Sequence, residues 1–254
     1  MGIQFETTPE VFGSVHLLIL AGILLAVFGL FFILRRRNER QLRTLIGVLG
    51  IMMILAEVWK QWFVRVYVYP GILSFWFFPW QLCSMAMYVS AALLIAKDEA
   101  EDAILVFLAS FNIVAAFGAL IFPYDMMRPQ IWLFVHSFLY HGVMLIESMA
   151  AILILRKRTR TSFIPALIMY AGMAVIAEIV NIISHQFAAT TQAEANMFNI
   201  TLSYPSTQPV FHQIAVTIGI VPEILIYLGF VALLSYGVFC LAEWPVIKKG
   251  KENG

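Results

Sequence analysis

Long apolar runs with almost no charge are the feature that most restricts the fold of this 254-residue chain. A helix that crosses a bilayer needs about 20 consecutive, mostly apolar residues. Stretches of that length fill most of the sequence, which is 61% hydrophobic and only 12% charged. The predicted spans are residues 11–34, 44–64, 75–96, 103–122, 131–155, 162–187 and 211–241. We therefore predict an all-α, polytopic membrane protein in which residues 1–254 form a single seven-helix transmembrane domain.

The distribution of Lys and Arg predicts the orientation of this bundle. Three short segments between the spans and the C-terminal tail hold thirteen of the 16 basic residues, all on one side of a seven-span protein. The other side has only Arg128, together with Lys60 and Arg65 at the end of the second span. Because short loops rich in Lys and Arg stay in the cytoplasm, we predict an outside N-terminus and a cytoplasmic C-terminus.

The same composition restricts the classes of partner. Basic residues occur in short clusters and not in a surface stripe, so we expect no nucleic-acid partner. Membrane lipids and small amphiphiles are the expected partners. Cys83 and Cys240 are predicted at opposite membrane faces and therefore as free thiols. The spacing of Glu178 and His185 is not that of a zinc site, and we expect neither a metal nor a diffusible cofactor.

Polar residues inside the predicted spans gather at one depth. Because ionisable groups are expensive within a bilayer, each is a candidate for a functional site. At 1.5 Å per helical residue, Cys83 lies about 10 Å and His141 about 15 Å below the outer ends of their spans. Glu147 lies deeper. The other polar candidates of the outer half are Glu57, Asn112, Glu178, Asn181, His185 and Glu223. This layer predicts a cavity that opens to the outer leaflet.

Cys83 and His141 at this depth allow nucleophilic catalysis. A thiol attacks as its thiolate, so an imidazole that accepts the proton makes the sulfur more reactive. The imidazole would be oriented by Asn112, Glu147 or Asn181, and an oxyanion would be bound by Asn112, Gln81 or Asn181. The alternative is structural: Cys83 is a small apolar core residue and His141 a hydrogen-bonding contact between helices.

Two further patterns concern the helix faces. Glu57 and Lys60 are three residues apart, and we favour an intrahelical ion pair over a catalytic role for them. The fifth span presents two polar stripes, of which one is expected to face the site and the other a neighbouring helix. The first stripe contains Ser137, His141 and Ser148, and the second contains His136, Tyr140 and Glu147.

Three motifs together resemble a known family. "PWQLCS" (79–84), "WLFVHSFLYHG" (132–142) and "NIISHQFAATTQAEANMF" (181–198) are similar to the YwaF-type bacterial membrane proteins and their animal relative, transmembrane protein 164. The resemblance implies a bacterial cell membrane protein that moves fatty acyl chains between phospholipids. It also implies that Cys83 and His141 are the catalytic pair. Members of the family often carry a histidine two residues before the cysteine, where this chain has Gln81.

The resulting hypothesis is an integral membrane lipid acyltransferase or acyl-lipid hydrolase that uses Cys83 and His141. Its alternative is a non-enzymatic binding or transport protein for an amphiphile or small solute, in which Glu57, Lys60, Glu178 and Glu223 would contact the ligand. A sensory receptor is a third possibility, although the short loops provide no evident signalling domain.

Overall fold

The computed structural model describes residues 4–72, 74–158, 161–187 and 195–252, with side chains up to residue 243. Residues 188–194 of the third motif, Arg160 and the side chains of the C-terminal lysines lie outside the described part. The helices are α1 (Ser14–Leu34), α2 (Glu39–Phe63), α3 (Met85–Ala92), α4 (Asp98–Phe107), α5 (Ile113–Ile121), α6 (Ile131–Leu155), α7 (Ile164–Gln186), α8 (Pro209–Ile218) and α9 (Ile220–Glu252).

The structure confirms the prediction of an all-α protein with several long apolar helices. Within the described residues, the only strand-like pairing is the isolated bridge between Gln4 and Gln130. Helical segments long and apolar enough to cross a membrane are Ser14–Leu34, Glu39–Val68, Asp98–Ile121, Ile131–Leu155, Ile164–Gln186 and Ile220–Glu243. These six segments make the chain an integral, multi-pass membrane protein. A seventh crossing and the orientation of the termini stay predictions.

The predicted third span, residues 75–96, is not one continuous helix. A 3₁₀ turn at Phe75–Phe77 is followed by extended backbone, a second 3₁₀ turn at Leu82–Ser84 and then α3. Phe78, which precedes Pro79, has the extended ψ of 132°. Because a proline ring clashes with helical backbone in the residue before it, Pro79 delays the start of the helix. Leu82–Ala92 is therefore a short apolar helix at the end of an irregular segment.

The predicted seventh span, residues 211–241, is divided at Gly219. This glycine has a φ of 101°, which an L residue with a side chain rarely adopts. The chain reverses its direction there. Ring contacts between the two helices show this: the centroid of Phe211 in α8 lies 5.0 Å from that of Tyr227 and 5.8 Å from that of Phe230 in α9. Helices α8 and α9 thus form a hairpin, and only α9 has the length to cross a membrane.

The two ends of the bundle differ. We call the end where α5 and α7 finish and α6 begins the cavity end, and the opposite one the ion-pair end. At the ion-pair end, Arg158 pairs with Glu39, Glu101 and Asp102. Burial lowers the pKa of the Arg158 guanidinium, but hydrogen bonds to these three carboxylates outweigh that effect and raise it overall.

Close helix contact also marks the ion-pair end. A Cβ atom on Gly50 of α2 would lie 2.4 Å from the backbone nitrogen of Ala91 in α3, so only glycine permits this approach. Arg43 bonds the free carbonyl of Leu93 with its Nη2 at 2.9 Å. These contacts fasten the short α3 to α2 and fix the helix whose other end begins beside Cys83.

Candidate functional site

A cavity of about 760 Å³ occupies the cavity end, and both Cys83 and His141 line it. Its wall is contributed by α2, by the segment that precedes α3, by α5, α6, α8 and α9 and by the loop after α5. This volume is within the range of sites that hold small organic ligands. The structure therefore brings the two residues of the predicted pair to one cavity.

Cys83 lies in the 3₁₀ turn that leads into α3, with its Sγ 3.9 Å from the carbonyl oxygen of Ala115 in α5. Two side chains hold this segment in place. Trp80 donates from Nε1 to the carbonyl of Met173 in α7 at 3.1 Å, and Tyr88 donates from its hydroxyl to the carbonyl of Pro79 at 3.0 Å. The thiol is therefore presented from a braced turn.

The first amides of this turn are available to a ligand. The Ser84 N–H donates to the Gln81 carbonyl at 2.8 Å, whereas the N–H groups of Leu82 and Cys83 make no backbone hydrogen bond within the described residues. Unpaired N–H groups at the start of a helix point toward negative charge. Here they lie beside the sulfur itself.

His141 is oriented by its own helix. Its Nδ1 lies 2.7 Å from the carbonyl oxygen of Ser137. Because a carbonyl only accepts hydrogen bonds, Nδ1 carries the proton and the lone pair of the neutral ring is on Nε2. Among the described residues, Nε2 has no hydrogen-bond partner, so it is free to accept a proton. The orienting group is this backbone carbonyl, and not one of the side chains suggested by the sequence.

Both polar stripes of α6 reach the cavity at this depth. His136, Ser137 and Tyr140 line it together with His141. The His136 ring stacks between Trp59 and Tyr140, at centroid distances of 6.0 and 5.7 Å. The expected division between the stripes therefore does not hold: both stripes face the cavity near its opening, and further along the helix Glu147 and Ser148, one from each stripe, are both buried outside the cavity lining.

Gln81 connects the Cys83 segment to the buried segment after α7. Its Nε2 donates to the carbonyl of Asn196 at 3.1 Å, and its Oε1 accepts from the Phe198 N–H at 2.9 Å. On the other side, Asn181 of α7 accepts from the Met197 N–H at 2.6 Å and donates to the Met197 carbonyl at 3.2 Å. Two amide side chains thus hold one stretch of irregular backbone.

This irregular backbone lies at membrane depth. Trp80 reaches Met173 and the Phe198 ring lies 6.1 Å from Tyr170, both in the interior of α7. Phe198 has a φ of 58°, which is unusual for a bulky residue. In a bilayer, non-helical backbone is tolerated only where protein buries it or where it lines a cavity. The segment before α3 and the segment after α7 both meet that condition, and each contains part of a motif on which the family resemblance rests.

The predicted ion pair between Glu57 and Lys60 is confirmed, with a separation of 2.7 Å. Gln61 also binds this pair, because its Nε2 donates to Glu57 at 2.7 Å and to the carbonyl of Phe77 at 2.5 Å. Glu57 and Lys60 both line the cavity. They supply polarity there without net charge.

Several candidates from the sequence lie outside the cavity lining. Asn112 donates to the Met144 carbonyl and to the Ser148 hydroxyl, at 3.0 and 3.1 Å, and so joins the α4–α5 segment to α6. The buried carboxylate of Glu147 lies near the Ser90 hydroxyl, but neither of its oxygens makes a hydrogen bond of regular geometry within the described residues. The remaining members of this group are Glu178, Asn181, His185 and Glu223. Among the described residues, no cluster of acidic, His or Cys side chains is arranged to hold a metal ion.

The loop between α5 and α6 adds two cavity residues that the sequence reasoning did not select, Asp125 and Arg128. Arg128 donates from Nε to the Asp125 carbonyl at 2.8 Å. Although much of Asp125 is exposed, removal of water around its carboxyl raises the pKa of that group, and the Arg128 cation acts against the rise. The isolated position of Arg128 on its side of the protein is the sequence signal that could have identified it.

The cavity reaches the lipid-facing surface between α5 and α9. Apolar residues of both helices line the cavity and are also exposed, including Phe117 and Ile121 of α5 and Phe230 and Leu234 of α9. Gly118 lies among them, and a Cβ there would meet nothing within 4 Å. The cavity is therefore open laterally between these two helices.

Comparison with known proteins gives a family match over most of the chain. Residues 11–241 match a protein family, described as the TMEM164 family. No curated protein and no solved structure matches the chain. The matched range begins just before α1, ends within α9 and contains every residue of the site described above.

Proposed function

Because this chain belongs to the TMEM164 family, we propose that it is a lipid acyltransferase or acyl-lipid hydrolase that uses Cys83 and His141. The observation that carries the proposal is the single cavity lined by a thiol and by an imidazole with an unengaged Nε2. The largely apolar wall and the lateral opening between α5 and α9 suit an acyl chain. With the cavity end facing outward, as the charge distribution predicts, the substrate comes from the outer leaflet.

In the first step, Cys83 attacks the carbonyl carbon of a phospholipid ester. The Sγ–C bond forms while His141 Nε2 takes the thiol proton. Because a bare thiolate is poorly solvated in an apolar cavity, we expect proton transfer to accompany the attack. The Ser137 carbonyl holds the imidazole in the required tautomer and stabilises the imidazolium.

The negative charge that develops on the ester oxygen needs a donor. The side-chain amides of Gln81, Asn181 and Asn112 are engaged with other groups. The backbone N–H groups of Leu82 and Cys83 donate to no backbone carbonyl within the described residues, and that of Cys83 is directed at its own sulfur. They are therefore the better candidates for the oxyanion site. Their place at the start of a helix adds the positive end of the helix dipole.

Collapse of the intermediate breaks the ester C–O bond. The leaving alkoxide takes the proton from His141 and departs as a lysophospholipid, which leaves a thioester on Cys83. An acceptor hydroxyl, from a second lysolipid or from water, then gives its proton to His141 and attacks the thioester carbon. The C–S bond breaks and the sulfur recovers the proton, so atoms and charges balance without a cofactor.

The deciding experiment traps the thioester. Purified protein in lipid nanodiscs is incubated with a phospholipid that carries a deuterated acyl chain, and peptides are analysed by mass spectrometry. We expect a hydroxylamine-labile acyl adduct on Cys83 in the wild type. Cys83→Ala should abolish the adduct and acyl transfer, whereas Cys240→Ala, which removes the other free cysteine, should retain both.

The same experiment separates the enzyme from the binding or transport protein. Of the charged groups that the binding hypothesis used, Glu57 and Lys60 line the cavity, but Glu178 and Glu223 do not. Lipid that binds to the protein without an adduct or transfer, over several phospholipid classes, would favour the binding function.

A further inference from the structure

Two cations line the cavity, and their surroundings differ. Lys60 is neutralised by Glu57 at 2.7 Å. Arg128 instead donates from Nε to the backbone carbonyl of Asp125, and its Cζ lies 5.3 Å from the centroid of the Phe77 ring. Neither terminal nitrogen of Arg128 has a hydrogen bond or ion pair within the described residues. A positioned guanidinium with free donors therefore faces the cavity.

Phe77 relates Arg128 to the rest of the site. The Arg128 guanidinium lies over the Phe77 ring. The Phe77 carbonyl accepts a hydrogen bond from Gln61, which also donates to Glu57. Phe77 and Gln61 therefore link Arg128 to the Glu57–Lys60 pair. Because Arg128 belongs to the loop after α5, it lies beyond the helix end at Ile121. If the cavity end faces outward, as the charge distribution predicts, the charge of Arg128 lies at the level of the lipid head groups.

The free part of the side chain has the form that phosphate oxygens require. A guanidinium presents planar, paired N–H donors that bind phosphate in a bidentate manner, and its charge does not depend on pH in the physiological range. The remaining basic residue at the cavity end, Arg65, is exposed and lies outside the cavity lining. Arg128 is thus distinguished from it by its position in the cavity lining.

We propose that the terminal nitrogens of Arg128 bind the phosphate of the lipid whose acyl chains occupy the cavity. This contact would select phospholipids over uncharged acylglycerols and would fix the depth to which the lipid enters. The inference rests on the proposed function only in that the same cavity receives the lipid. A binding protein would use the contact equally.

Binding measurements test this contact independently of catalysis. Retention of lipids is measured by native mass spectrometry on protein with the background change Cys83→Ala, so that no turnover occurs. The probes are dioleoylphosphatidylcholine and dioleoylglycerol, which share their acyl chains and differ in the phosphate-containing head group. Loss of hydrogen bonds to a charged group predicts that Arg128→Gln weakens phosphatidylcholine binding about 10- to 100-fold. Dioleoylglycerol should change less than about twofold.

Matched variants make the result specific. Arg65→Gln removes a cation from the same end and should leave both affinities unchanged. If Arg128→Gln does not fold, Arg128→Lys serves instead and should weaken phosphatidylcholine binding alone, because it keeps the charge but loses the planar donors. Equal losses for both lipids, or no loss for phosphatidylcholine, would overturn the proposal.

A last arm identifies the source of the phosphate. Inorganic phosphate is titrated against lipid-free protein and against the Arg128→Gln variant. We expect no binding that depends on Arg128 at millimolar concentrations, because the acyl chains provide most of the lipid's affinity. Binding of inorganic phosphate as tight as that of the lipid, and lost in Arg128→Gln, would assign the site to a free anion and contradict the lipid assignment.

Discussion

The ion-pair end of the bundle is built from regular, closely packed helices, whereas the cavity end contains irregular backbone. At the ion-pair end, regular helices finish in a network around Arg158, and glycine brings α2 and α3 into backbone contact. At the cavity end, irregular backbone enters the bundle and is held by side chains such as Trp80 and Gln81. We infer that the ion-pair end contributes more to stability, whereas the cavity end has less regular structure and forms a cavity.

Fully buried apolar residues occur at both ends of the bundle, for example Leu120 and Met197 at the cavity end. Leu42, Ile46, Leu93 and Leu105 have no exposed surface, and all four belong to the part of the bundle near the ion-pair end. Around the cavity, apolar residues such as Phe117 and Phe230 stay exposed. Changes at the cavity end should therefore affect lipid chemistry more than thermal stability, and changes near the ion-pair end should do the reverse.

Among changes at the cavity end, His141→Gln is expected to have the largest effect on the rate of acyl transfer. Glutamine can hydrogen-bond but cannot accept a proton at neutral pH. Loss of general-base catalysis predicts a decrease of about 10²- to 10⁴-fold in the initial rate of acyl transfer. The melting temperature should stay close to that of the wild type.

His185→Gln is the matched control for this change. His185 is an exposed histidine of α7 at the same end and lies outside the cavity lining. Its substitution should leave the rate within about twofold of the wild type, since general-base catalysis does not involve it. A rate for His141→Gln within tenfold of the wild type would exclude His141 as the base.

Much of this contrast was visible in the sequence. Apolar length predicted the helices, because backbone groups in a bilayer must be satisfied within each segment. The cost of burying polar groups predicted that Cys83 and His141 share one site region, and helical spacing predicted the Glu57–Lys60 pair. These are local consequences of composition and periodicity.

The remaining features depend on contacts between distant segments. Trp80 has the amphipathic character of a residue at the membrane interface, yet it bonds Met173, 93 residues further along the chain. Gln81 binds backbone 115 and 117 residues away. Asn112, chosen as a catalytic candidate, joins two helices instead. An amide side chain serves equally well for catalysis or for packing, so its type alone does not determine its role.

A smaller effect, of the opposite kind, is expected from Gly50→Ala near the ion-pair end. The added Cβ would lie 2.4 Å from the Ala91 nitrogen and 2.8 Å from the Ser90 Cβ, so α2 and α3 must separate. Overpacking of this kind costs about 1–3 kcal/mol. We expect a lower melting temperature, measured in the same detergent, with acyl transfer by the folded protein within a few-fold of the wild type.

Gly172→Ala provides the control, because a Cβ at that exposed position of α7 would meet nothing within 4 Å. Alanine favours a helix over glycine by up to about 1 kcal/mol, so this variant should be neutral or more stable. If Gly50→Ala reduced the rate as strongly as His141→Gln while it left the melting temperature unchanged, the assignment of stability to one end and chemistry to the other would fail.

The smallest effect is expected from Gln81→His, which tests whether this position supplies a base or a clamp. Gln81 uses one donor and one acceptor on the Asn196–Phe198 backbone, and a neutral histidine also offers one of each. If the side chain only holds the neighbouring backbone, the introduced histidine would preserve the structure and change the rate by less than about threefold. Gln81→Leu would then leave both backbone groups unpaired, at a cost in stability of about 1–3 kcal/mol for each group. As a base, the introduced histidine would raise the rate at least tenfold and rescue His141→Gln. The double variant, assayed beside each single one, decides between these outcomes, and we expect no rescue because the position is already committed to holding the chain beside Cys83.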